Sequence, residues 1–269
     1  MLRGRVLIVA GSDSGGGAGI QADIKACAAL GAYSMTAITA LTAQDTRGVH
    51  GVWSVPPAFV AKQMRVVLED IGTDAVKTGM LADDAVIAAV CDVLDTVAGI
   101  PIVVDPVMVA KGGAVLLAGD AVSVLRARLL PRATVLTPNI PEAEALLGRS
   151  IGSVGEMVRA GQDLRAAGAA AVLVKGGHLD GVTLTDVLVD ADGVRTWSDP
   201  RIRTRSTHGT GCTLASAIAA GLAQGLTLTD AIGRARTYLR AAILAAPGLG
   251  LGHGPLGHDA GLAAFDMGD

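Results

Sequence analysis

Short apolar runs alternate with longer stretches of helical spacing along most of the 269-residue chain. Val6–Ala10, Ser34–Leu41, Ala75–Thr78, Pro101–Asp105, Thr134–Thr137 and Ala171–Lys175 read as strands, rich in Val, Ile, Leu, Ala and Thr. Between and after them, helices are predicted over Gly19–Leu30, Pro56–Ile71, Asp83–Val97, Ala118–Leu130, Pro141–Leu147, Ser153–Ala167, Gly211–Gln224 and Thr229–Ala246. Pro56 opens the second of these and acids open the third, as helix starts favour. Asp190-Ala-Asp-Gly193 is a hairpin turn signal between Thr183–Val189 and Val194–Trp197. Alternation of this kind implies βαβ units, a mainly parallel sheet and helices on both faces, an α/β fold. No segment has a linker's composition and no repeat is visible, so one domain over residues 1–269 is expected. In such a fold ligands bind at the carboxyl ends of the strands.

Composition narrows this picture. The chain is 51% hydrophobic but only 2% aromatic, so Ala, Val, Leu and Ile must fill its core. A formal charge of −3 supplies no broad basic field for nucleic acid. Lysine occurs only at Lys25, Lys62, Lys77, Lys111 and Lys175, so the placement of each can matter. Three cysteines with no CxxC pair argue against a disulfide framework and fit a reducing, cytoplasmic setting. Cys27 and Cys91 lie in Ala-rich helical patterns and read as packing residues. No signal-peptide pattern opens the chain. The long uncharged stretch Ser206–Thr229 is diluted by polar residues and glycines, so it reads as a buried helix rather than a membrane span.

The unusual polar residues fall at the predicted strand ends. His208-Gly-Thr-Gly-Cys212 opens an apolar helix with Gly209, Thr210 and Gly211 and places Cys212 in its first turn. Unpaired amides and the positive end of the helix dipole make this a candidate anion cradle holding a polarisable thiol. The plain alternative is a Gly-rich helix start with a buried Cys. Lys175 ends an apolar strand before Gly176 and Gly177, where its ammonium can reach a phosphate. Asp105 ends another strand. Asn139 and Glu142 follow the fifth; they read either as a helix N-cap with a first-turn acid or, with Asp105, as hard ligands for hydrated Mg²⁺. After the first strand, Gly11 begins a glycine-rich loop that leads to Asp23, a carboxylate suited to an amine or hydroxyl. Gln44 offers one acceptor and two donors, matching the edge of an aminopyrimidine or an amide. The pattern at Gly17–Ala22 formally fits a dinucleotide fingerprint. However, Gly17 lies beyond the turn, and Asp45 lies 28 residues beyond Gly17 where the fingerprint needs an acid about 20 residues on; a Walker A lysine motif is also absent. Together these parts suit phosphoryl transfer to a small polar alcohol.

Several runs resemble, in order, those of hydroxymethylpyrimidine/phosphomethylpyrimidine kinases of thiamine biosynthesis, in the ribokinase superfamily. They are Ala10–Asp23, Ile38–Gln44, Lys77–Leu81, Val104–Met108, Leu136–Glu142, Val174–His178 and His208–Thr213. The resemblance implies a three-layer α/β/α fold and two successive ATP-dependent phosphorylations. The first acts on 4-amino-5-hydroxymethyl-2-methylpyrimidine and the second on its monophosphate. By motif it assigns Gly11, Asp23, Gln44, Met80 and Val107 to the pyrimidine site. Gly209, Thr210, Gly211 and Cys212 form the implied anion hole, with Cys212 catalytic. Lys175 is implied to contact the ATP phosphates, with Asn139 and Gly177 also on the nucleotide side and Asp105 and Glu142 toward Mg²⁺. A cytoplasmic homodimer is also implied. The tail Gly252–His258 only loosely matches the family's C-terminal Gly/His motif, and its role stays open.

Most sugar kinases of that superfamily carry Asp where Cys212 stands. A carboxylate suits a neutral alcohol but would repel a phosphate monoester, itself about −1.5 to −2 in charge near neutral pH. A thiol can stay neutral for the phosphate, and an electropositive helix start is expected to favour its thiolate for the alcohol. The rival readings are a pyridoxal kinase of the same superfamily and a non-catalytic nucleotide-binding regulator.

Overall fold

The computed structural model describes residues 4–108 and 119–260. Lys111 and the first residue of the helix expected at Ala118 lie outside these. Among the described residues nine strands form one sheet: β1 (Arg5–Asp13), β2 (Tyr33–Gln44), β3 (Val49–Ser54), β4 (Ala75–Thr78), β5 (Ile102–Val104), β6 (Val135–Leu136), β7 (Val172–Val174), β8 (Thr183–Asp190) and β9 (Gly193–Pro200). Their order is β3-β2-β1-β4-β5-β6-β7-β8-β9. The pairs from β2 through β7 are parallel, whereas β3, β8 and β9 join antiparallel at the two edges.

Alternate residues of each central strand serve two cores. From β1, Leu7 and Val9 pack with Val60 and Met64 of α2 (Pro57–Asp70) and Ile87 of α3 (Asp84–Leu94). Val6 and Ile8 face the other way, toward Cys27 of α1 (Gly19–Ala29). On the first side α4 (Gly119–Val124), α5 (Ile140–Leu147) and α6 (Val154–Ala166) complete the layer. On the second, Ile218 of α7 (Thr210–Ala223) and Ile232 of α8 (Leu228–Leu244) join the core. The result is three layers, α/β/α. Both faces of the central strands are covered, which is why their sequences read as continuous apolar runs.

The uncharged stretch around Ser206–Thr229 becomes α7, buried between the sheet and its neighbours. Among the described residues no helix is long and apolar enough to cross a membrane. The expected helix over Ala118–Leu130 is broken instead: α4 runs into a wide turn at Leu125–Leu129 and a tight one at Leu130–Arg132. Pro131 lacks the amide that a continuing helix needs.

β3 is absent from the sequence reading. It contains His50 and Gly51 and is exposed along most of its length, so no periodic signal marks it. Its order comes from pairing with β2, which runs beyond the predicted Leu41 to Gln44.

Candidate active site

The carboxyl ends of the parallel strands and the start of α7 surround a cleft of about 680 Å³. Gly11, Gln44, Met80 and Val107 line it. Asp105, Asn139, Glu142, Lys175, Gly177, Gly209, Thr210, Gly211 and Cys212 also line it. Of the residues that the family resemblance assigns to the site, Asp23 alone is not on the wall.

The candidate anion cradle is built from backbone. Gly209 caps α7 in the left-handed region at φ 81°, and a side chain there would strike the Gly17 carbonyl. The first helical bond runs from the Thr213 amide to the Gly209 carbonyl at 2.9 Å. Among the described residues, the amides of Gly209, Thr210, Gly211 and Cys212 have no backbone acceptor, and no side chain caps them. A Cβ on Gly211 would lie 3.3 Å from Lys175 Nζ and 3.5 Å from Asp105 Oδ2, so the glycine keeps open the space where these groups converge.

Lys175 sits just past β7 and donates to Asp105 Oδ1 at 2.8 Å, with Glu142 Oε2 at 3.9 Å. Burial opposes its charge, but Asp105 and Glu142 outweigh burial and raise its pKa. Asn139 and Glu142 form a reciprocal cap on α5. Asn139 Oδ1 accepts from the Glu142 amide at 2.9 Å, and Glu142 Oε2 accepts from the Asn139 amide at 2.8 Å. Burial pushes the Glu142 carboxyl up to about 7, even against the Lys175 charge. The helix-cap reading of this pair is therefore realised, on residues that also line the cleft.

Asp23 lies behind the wall. It is fully buried and held by Lys77 Nζ at 2.8 and 2.9 Å and by the Ser216 hydroxyl at 2.7 Å. With both oxygens occupied, it presents nothing to a ligand directly, and Lys77, though it borders the cleft, is 0% exposed. Burial disfavours the Lys77 charge, but Asp23 first, then Cys212 and Asp105, raise its pKa. The sequence did signal this residue, as a lone lysine inside an apolar strand.

Cys212 departs from the expected thiolate. Burial pushes its thiol up to about 12; Lys77 and the Gly19 amide lower it, while Asp23 and Asp105 raise it. The electropositive helix start is thus offset by burial and two carboxylates, which favour the neutral thiol on this half-buried residue.

Two further groups were missed because each depends on residues distant in sequence. His208 Nε2 lies 2.8 Å from Asp13 Oδ2 and 3.2 Å from the Gln44 amide. Asp13 also gathers the amides of Gly15, Gly17 and Ala18, folding the glycine-rich loop around its carboxylate. Asp186 accepts from the Gly176 amide at 2.8 Å and pairs with buried Arg236, bracing the turn beyond Lys175. The tail, expected as a loop, is tied down against the site. The Gly254 carbonyl accepts from the His208 amide at 3.1 Å, and His258 Nε2 lies 2.9 Å from the Thr213 hydroxyl.

Comparison with known proteins agrees with this geometry. The chain is 54% identical over 267 residues to the thiamine biosynthesis bifunctional protein ThiED of Geobacter sulfurreducens, covering 99% of this chain but spanning only 54% of that protein. It is 51% identical to the hydroxymethylpyrimidine/phosphomethylpyrimidine kinase of Rhizobium meliloti, covering 94% of this chain and 96% of that one. The pyridoxal kinase of Staphylococcus aureus, solved with AMP-PCP, superposes with a TM-score of 0.89 at 35% identity, covering 96% of this chain and 94% of that one. The phosphomethylpyrimidine kinase family profile matches residues 13–257. The chain, a kinase of ribokinase-like fold, therefore belongs to the phosphomethylpyrimidine kinase family.

Proposed function

We propose that this chain transfers the γ-phosphoryl group of ATP to 4-amino-5-hydroxymethyl-2-methylpyrimidine, and then a second phosphoryl group to the monophosphate so formed. One observation carries the reading: the unpaired amides of Gly209–Cys212 open into the same cleft as Lys175 and the acceptor-end residues Gly11, Gln44, Met80 and Val107. The amides and Lys175 place positive charge around a moving phosphoryl group, which is most of what such transfer requires. Gln44 faces the acceptor's polar edge, and Met80 and Val107 supply apolar walls.

Cys212 stands where the acceptor meets the phosphate. As a neutral thiol it tolerates a phosphate monoester, which needs no base to attack. For the alcohol, the thiolate form of Cys212, which Lys77 and the Gly19 amide favour, takes the hydroxyl proton and returns to the thiol.

Asp105 and Glu142 offer hard oxygen donors toward Mg²⁺. Among the described residues no cluster of three or more His, Cys, Asp or Glu could hold a metal, so phosphate oxygens and water would complete the shell. When bound, the ion would neutralise charge on the transferring phosphates. One domain carries the whole reaction, in the cytoplasm. The ladder pairing Leu41 with Trp53 leaves Trp53 76% exposed, and this apolar edge suits a homodimer.

ADP release measured side by side with the pyrimidine alcohol, its monophosphate and pyridoxal tests the reading. Turnover of both pyrimidines supports it. Turnover of pyridoxal alone would make the chain a pyridoxal kinase, the reading favoured by the 0.89 superposition. No turnover of any would favour a regulator.

A further inference from the structure

The donor and acceptor inventory around Gln44 leaves one consistent arrangement. Asp13 has its carboxyl lowered: burial raises it, but the His208 hydrogen bond and the Ala18 and Gly15 amides outweigh burial. Its Oδ2 can only accept, so His208 Nε2, 2.8 Å away, must carry the proton. In the structure Gln44 Nε2 lies 3.2 Å from that protonated Nε2, two donors facing each other, so turning the amide over puts its carbonyl oxygen there, where it can share the proton that Asp13 also accepts. The opposite side of the amide agrees. Thr42 Oγ1 faces both the Ser12 carbonyl at 3.0 Å and Gln44 Oε1 at 3.3 Å but has one proton; with that proton on Ser12, the turned-over amide would present its nitrogen to Thr42 as donor. Oxygen and nitrogen are assigned here by hydrogen-bond logic, which is how amide orientations are decided.

We propose that the His208–Asp13 pair is a specificity-setting positioning pair: it locks the Gln44 amide with its oxygen toward His208 and its nitrogen toward Thr42. His208 is 7% exposed and packs so closely on Gly17 that a Cβ there would strike its ring, so its plane is set by the loop as well as by Asp13. A locked amide reads an ordered edge. An aminopyrimidine presents an exocyclic N–H donor beside a ring-nitrogen acceptor, which complements one orientation of an amide and opposes the other. A pyridine alcohol presents a hydroxyl that can donate or accept, so it gains little from the lock. The inference rests on Gln44 being at the acceptor edge, as proposed above.

The test is the ratio of kcat/KM for the pyrimidine alcohol to that for pyridoxal, measured in the wild type, His208→Asn, Asp13→Asn, Gln44→Ala and the His208→Asn/Gln44→Ala double variant, with the KM for ATP alongside. The proposal expects His208→Asn and Asp13→Asn each to lower the ratio about tenfold, the factor for one oriented hydrogen bond near 1.4 kcal/mol. It expects no further fall in the ratio when His208→Asn is added to Gln44→Ala. Equal losses for both acceptors, or an additive fall in the double variant, would overturn it by showing that His208 only supports the loop. If the wild type turns over no pyrimidine alcohol, the functional reading fails instead. ¹⁵N chemical shifts of His208 give a readout independent of turnover. A protonated Nε2 in the wild type supports the lock and a bare Nε2 overturns it.

Discussion

Two lysines in this molecule each hold an aspartate at 2.8 Å, yet they serve different ends. Lys77 and Asp23 are both 0% exposed, and Ser216 completes the carboxylate's shell. Lys175 is 13% exposed at the cleft, with Asp105 and the more distant Glu142 beside the unpaired amides of α7. The first pair has no room to exchange partners. It acts as fixed charge beneath the floor of the site, and removing either member strands the other in a dry interior. The second can give up part of its carboxylate contact when a phosphate enters. The same ion pair is thus sealed in one place and open in the other: Lys77 is 0% exposed and Lys175 13%.

The largest effect should come from breaking the sealed pair. Lys77→Met leaves Asp23 buried and uncompensated and should cost about 3–5 kcal/mol, read as a drop in denaturant midpoint. Adding Asp23→Asn should recover part of that loss. Breaking the open pair should look different. Lys175→Met should lower kcat by about 10²–10³-fold, the scale for one preorganised charge or donor at a transition state. It should destabilise the fold less than Lys77→Met does. If the two variants lost stability equally, the distinction between the pairs would collapse.

Gly211→Ala probes the gap between Lys175 and the helix start. The added methyl, 3.3 Å from Lys175 Nζ, should displace the phosphoryl group and reduce kcat/KM on the order of 10–10²-fold, with an unchanged thermal midpoint.

The smallest effect concerns pH. Burial lowers the His258 pKa to about 4, from an ordinary 6.5. A base whose folded pKa is depressed stabilises the fold above its unfolded pKa and loses that contribution as pH falls. Stability should therefore decline between about pH 6.5 and 4, and His258→Gln should flatten that part of the profile.

The layers were legible in the sequence because the central strands are covered on both faces, so their apolar runs stand out. The cleft was legible for a related reason: Asp105, Lys175 and the glycines before Cys212 each interrupt an apolar pattern at an element's end. β3 was not legible, since an exposed edge strand with His50 and Gly51 carries no period of its own. Asp23 was assigned to a ligand because its partner Lys77 is 54 residues away, and no local spacing reveals such a pair. The groups that oppose a thiolate at Cys212 were hidden for the same reason. The helix start is local, but the carboxylates and burial that oppose it come from other strands and helices. His208 and His258 are likewise explained only once the tail is folded back.

On the function proposed above, Cys212 as a neutral thiol lets one anion hole serve an alcohol and a phosphate monoester in turn. Single-turnover rates of Cys212→Asp with each of the two pyrimidine acceptors test this most directly. A greater loss with the monophosphate is expected, because a fixed carboxylate repels it. Equal losses with the two acceptors would contradict it.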